Sequence, residues 1–181
     1  SVSGLGDVYK RQKKDDILEN VIKKNFKEKN IVAARVNDQL SDLSNTVKDN
    51  SVVELVTTDD KDGIDVLRHS CAHIFGHAIK QLYPDVKMVI GPVIENGFYY
   101  DILSDSPLTD KDLPAIENRM RKLAKKNYPI QREVVSKKNA ISIFEDRKEP
   151  YKVELLKEIP ENEIIAIYHH EEYIDMCRGP H

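Results

Sequence analysis

Cysteine is scarce in this chain of 181 residues, which holds only Cys71 and Cys177. Two thiols make no disulfide framework, so a stapled secreted scaffold is excluded and a reducing cytoplasm is the expected location. No apolar run approaches the roughly 18 residues a membrane helix needs, and no secretory signal is visible. Internal repeats and low-complexity tracts are lacking as well. The net charge of −3 gives no global nucleic-acid signature. An initiator methionine is missing too: the sequence runs from Ser1 to His181 and stops inside a motif, which reads as a fragment. What is present, 40% hydrophobic and 33% charged residues, is ordinary for a globular protein. The length suits one domain, or one and a small one.

The six histidines fall in two places, His69, His73 and His77 at four-residue spacing and His169, His170 and His181 near the end beside Cys177. If residues 61 to 83 are helical, Ile64, Leu67, Cys71, Ile74, Phe75, Ala78, Ile79 and Leu82 form an apolar stripe, and the first three histidines lie opposite. The histidine face is then expected not to be the core face. Ala72 and Gly76, between the two, would let another group come close. Cys177 and His181 are placed on a strand end and a loop, because β-branched and aromatic residues up to Ile174 favour a strand and Gly179-Pro180 breaks it.

Along the rest of the chain, residues 1 to 12 show no periodicity and are excluded from the fold as a non-native leader. Ile17, Leu18, Val21, Ile22 and Phe26 predict a helix over 16 to 29. Two strand-like runs follow, Ile31 to Val36 and Ser51 to Thr57, and together they make a small β-grasp-like piece over 13 to 60. An aspartate in the linker 58 to 63 is placed to cap the histidine helix. Asn96-Gly97 between apolar runs predicts a hairpin, and Thr109 to Asn127 a long helix with Thr109 as N-cap. A strand near 130 to 135, a short helix over 139 to 146 and one final strand complete an α+β pattern with antiparallel sheet. Arg119, Arg121, Lys122, Lys125 and Lys126, with Lys137 and Lys138, form a basic stretch that reads first as a solvated face beside acids such as Glu117.

Two histidines at i and i+4, with Cys177 and His181 from a distant loop, are the ligand types of a tetrahedral zinc site. A zinc protease is disfavoured, because Ser70 stands where the zincin helix has glutamate. The same groups could instead activate water by acid/base chemistry, or Cys177 could be a nucleophile. Sequence physics leaves these open.

The strings Leu67 to His73, Gly91 to Asp101 and Tyr173 to His181 closely resemble the amino-terminal region of bacterial threonyl-tRNA synthetases, collinearly from about residue 16 onward. The resemblance implies a partial TGS (β-grasp) domain, 13 to 60, and a C-terminally truncated editing domain, 61 to 181, that hydrolyses mischarged seryl-tRNA(Thr). By that resemblance His69, His73, Lys152, Asp175, Cys177 and His181 are catalytic and meet in one cleft, with no metal in the pocket. A related alanyl-type editing family holds zinc with a similar set, which makes His69, His73, Cys177 and His181 alternative ligands. An RNA-binding module is the competing non-enzyme reading. ATP, Mg and a zinc ion belong, by the same resemblance, to a homodimeric aminoacylation core absent from these residues; the implied partner is tRNA(Thr), with no membrane. Serine differs from threonine by one methyl, worth roughly 1–3 kcal/mol, so a second hydrolytic site is needed for fidelity.

Overall fold

The computed structural model describes residues 16–48 and 50–181; the expected leader, 1 to 12, lies outside them. The chain divides into two compact units, one comprising residues up to Leu67 together with Gly179–His181, the other Arg68–Arg178. The architecture is α+β with small antiparallel sheets.

In the first unit β1 (Asp16–Ile17) leads into α1 (Leu18–Asn25), followed by β2 (Ile31–Val36), β3 (Gln39–Ser41), β4 (Thr46–Val47) and β5 (Val53–Thr57). β2 is central, antiparallel to both β3 and β5, while β1 pairs with β4. Leu18, Val21 and Ile22 of α1 pack with Ala34, Val47 and Val53 into one core, and Lys23 and Lys24 stay outside. Each such branched side chain contributes about 1.5–3 kcal/mol by leaving water. Ile17, expected on the helix, is instead 43% exposed and paired with Thr46.

The long histidine helix, α2 (Lys61–Leu82), starts in this unit. Asp60 opens it through its carbonyl, which accepts from Ile64 N–H. The Asp60 carboxylate does not cap the helix; it accepts from the Thr57 amide and hydroxyl, closing the turn before it. Gly63 is required by a close approach, since a Cβ there would fall 1.8 Å from the Thr57 carbonyl oxygen.

In the second unit β6 (Lys87–Ile90) pairs with β9 (Asp101–Leu103), and β7 (Val93–Ile94) with β8 (Gly97–Phe98). The hairpin is where Asn96-Gly97 predicted it, but Gly97 pairs with Ile94, so Glu95 and Asn96 form the loop. α3 (Leu113–Lys126) begins later than expected. Thr109 is not its cap: the Thr109 amide and hydroxyl both donate to Asp112, the true N-cap residue. β10 (Gln131–Val135) is followed by α4 (Lys137–Asp146), capped by Ser136, which accepts from Asn139 N–H at 3.2 Å. α5 (Pro150–Glu158) was not foreseen. The expected single final strand is a hairpin, β11 (Ile165–His170) and β12 (Tyr173–Met176), turning at Glu171-Glu172 with Glu171 at φ 55°. The sheet runs β10-β11-β12, and its apolar face meets α4 and α5 through Phe144, Leu156 and Ile167.

The expectation that the histidines of α2 avoid the core is overturned. His73 and His77 are 3% and 1% exposed, whereas Cys71 is exposed and Ile64 and Leu67 are 38% and 44% exposed. Within the second unit Ala78 and Ile79 of the expected stripe are buried, so α2 is covered on two sides. The second cover is β12. Tyr173 lies over Gly76, where an added Cβ would come 2.3 Å from the phenol oxygen. The small-residue flank does admit a close neighbour, and that neighbour is a tyrosine.

Candidate functional site

Lys152 and Asp175 are the centre of the chemistry. Lys152 comes from α5 and Asp175 from β12, and their side chains are 5% and 8% exposed with Nζ to Oδ1 at 2.6 Å. Alternation along β12 puts Tyr173 and Asp175 on one buried face. The carboxylate is fully engaged: Tyr100 donates its phenol to Oδ2 at 2.6 Å, Tyr173 donates to the same oxygen at 3.1 Å, and Met176 N–H donates to Oδ1 at 2.7 Å. Burial by itself would raise the Asp175 pKa, but the Lys152 ammonium, followed by the hydrogen bonds, overrides it and holds the carboxyl well below its usual range. The same burial, with the carboxylate beside them, pushes both phenols far up, so they remain donors.

This pair opens into a cavity of about 650 Å³ lined also by His69, His73, Tyr100 and Cys177, with Val89 to Val93 as an apolar wall. Five of the six residues singled out from the sequence therefore line one cavity. His69 is half-buried, and a ring nitrogen of His69 lies within 4.8 Å of the Cys177 sulfur. His73 is different: its ring packs edge-on to Tyr173 at 4.9 Å and to His170 at 6.4 Å, and burial lowers its pKa to about 3. It is neutral at physiological pH and is a poor proton acceptor. The sixth residue, His181, belongs to the first unit, where its backbone N–H donates to Asp42 at 2.8 Å. A second cavity of similar size, about 660 Å³ and lined by Tyr83 to Lys87 and Leu103 to Leu108, holds no such convergence of buried charge.

His69 and Cys177 offer one nitrogen and one sulfur donor to a cation, two of the four a structural zinc site takes. Lys152 already brings a positive charge into the same cavity. Sequence reasoning did not single out Tyr100 and Tyr173 individually. Tyr173 was findable, since it stands two positions before Asp175 on a strand.

No family model matches the chain. Among curated proteins it is similar to the threonine--tRNA ligase of Psychrobacter cryohalolentis, 53% identical over 150 residues, that of Psychrobacter arcticus, 52%, and that of Prochlorococcus marinus subsp. pastoris, 53%. Each match covers 83% of this chain and 23–24% of the relative, so the chain spans about a quarter of the length of the curated relatives it matches. With half of 150 aligned residues identical, this chain belongs, as a segment, to the threonine--tRNA ligase family.

Proposed function

We propose that the cavity of the second unit hydrolyses the ester of seryl-tRNA(Thr), as the proofreading part of a threonine--tRNA ligase. The observation that carries this reading is a lysine 5% exposed, neutralised by an equally buried aspartate, at the wall of a cavity that also presents histidine and cysteine. A lysine placed so is a fixed donor to a polar substrate group, and Asp175 with its two tyrosines holds it in place. Water adds to the seryl carbonyl carbon, the carbonyl oxygen takes the charge, and Lys152 stabilises it. The ester C–O bond then breaks, and the ribose hydroxyl leaves with a proton while serine departs as the acid. His69, the half-buried histidine of the cavity, takes the proton from the water. His73 stays neutral and fixes the pocket wall. His181 joins the set on the strength of the resemblance.

ATP-dependent joining of threonine to tRNA(Thr) is assigned to the remaining three quarters of a relative's length, together with its magnesium, its zinc and its dimer contacts. The first unit is read as a partial TGS domain that meets tRNA, and the whole as a cytoplasmic enzyme. The test is Lys152→Ala in the chain joined to the rest of a complete ligase. Deacylation of seryl-tRNA(Thr) is expected to slow by about 10²-fold or more while threonine charging stays near normal. Unchanged editing, or an equal fall in charging, overturns the assignment.

A further inference from the structure

Behind the cavity the second unit buries a second set of polar rings that the proposed reaction does not use. His77 Nδ1 and His170 Nδ1 face each other at 2.8 Å, with the residues 1% and 3% exposed. Two ring nitrogens at that distance hold one proton between them. His77 Nε2 in turn lies 2.8 Å from Glu172 Oε1. Glu172 also accepts from Gln81, and the Gln81 and His77 hydrogen bonds lower its pKa to about 2, so it is a carboxylate. A carboxylate oxygen needs a hydrogen there, so His77 Nε2–H donates to Glu172. With one hydrogen between the two Nδ1 atoms and the Nε2 hydrogen of His77 directed at Glu172, we take His170 Nδ1–H as the donor to His77 Nδ1. The tautomer of both rings is thus set from the exposed turn at Glu172 inward.

The ordered ring pair leans on the proposed catalytic group. His77 stacks on Tyr173 with ring centres 5.5 Å apart and planes 10° from parallel. The Tyr173 phenol passes over Gly76 and donates to Asp175, the partner of Lys152. We propose that His170 and His77 are positioning residues for the deacylation site: their single shared proton fixes the Tyr173 ring, and Tyr173 fixes the Asp175 carboxylate under Lys152. This rests on the function proposed above, and it assigns a role to a histidine set that touches no substrate.

The experiment is ring-nitrogen and carboxyl-carbon NMR on the full chain, run beside seryl-tRNA(Thr) hydrolysis. In the unsubstituted chain His170 is expected to be protonated at Nδ1 and His77 at Nε2 only. His170→Phe, which keeps a ring but removes the donor, is expected to displace the Asp175 carboxyl-carbon resonance and to lower kcat about tenfold or more at near-constant KM. His170→Asn, whose amide N–H can donate from nearly the same place, is expected to restore both. Glu172→Ala, at an exposed side chain, is expected to mix the His77 tautomers and move the Asp175 resonance part of the way; it decides the matter if His170→Phe does not fold. The opposite tautomers, equal behaviour of the Phe and Asn variants, or an Asp175 resonance indifferent to Glu172→Ala each overturn the proposal. If the unsubstituted chain, joined to the rest of a complete ligase, fails to hydrolyse seryl-tRNA(Thr), the function reading falls, and the Asp175 resonance alone still decides positioning.

Discussion

His73 and Lys152 show how differently one buried environment treats two bases. Lys152 is paired with the Asp175 carboxylate, whereas burial holds the His73 imidazole neutral down to about pH 3. Because its folded pKa lies below its ordinary 6.5, the unfolded chain takes up a proton that the folded chain refuses. Stability is therefore fully present above pH 6.5 and declines as pH falls toward 3. At pH 5 His73 alone is expected to cost about 2 kcal/mol relative to pH 8. His170, lowered by burial too, adds to the loss with the same sign. Urea unfolding across this range reads it out, and His73→Gln is expected to flatten part of the slope; an unchanged slope shows that the neutral imidazole is not its source. Asp175 and Glu172, both lowered, add a further loss only below about pH 4.5, their ordinary range.

At the scale of elements, the unforeseen α5 is tied down by a buried carboxylate just before it. Glu149 is 5% exposed and accepts from Met88 N–H at 3.0 Å and from Lys80 Nζ at 2.7 Å, joining α2, β6 and α5. Lys80 also donates to the carbonyls of Pro84 and Val86. Glu149→Ala is expected to destabilise the chain by about 3 kcal/mol, because it leaves a partly buried ammonium without its counter-charge and a buried amide without its acceptor. Calorimetry checks this, and a loss under 1 kcal/mol would show the pair to be dispensable. The sequence announced the elements that periodicity governs, α1, α2, β2 and the β6 to β9 hairpins. It hid α5, which at nine residues is too short to establish a clear period, and the β11–β12 turn, where Glu171 adopts positive φ without glycine or asparagine. The core side of α2 was misread for a related reason: periodicity scores histidine as polar, and only the fold shows Tyr173 and His170 covering it. The site was legible through three ordered motifs, yet the carboxylate's phenol donors and the His77–His170 pair depend on contacts between elements some 75 and 93 residues apart in the chain.

For the whole molecule, chelation is the experiment that decides whether a metal takes part. If Lys152 supplies the positive charge that the ester oxygen needs, chelation is expected to leave hydrolysis of seryl-tRNA(Thr) intact, and an EDTA-sensitive activity restored by zinc would move His69 and Cys177 into a metal site. The division of the histidines has a further consequence. Three of the six, His73, His77 and His170, are nearly sealed from solvent, and the other three are only partly covered. An imidazole-acylating reagent is expected to label His69, His169 and His181 under native conditions and to reach the remaining three only on opening of the second unit, a count readable by intact mass. Prompt labelling of all six would contradict the burial described here. The HxxxH helix thus carries adjacent turns of unequal reactivity, and its histidines can serve as an internal clock for local unfolding.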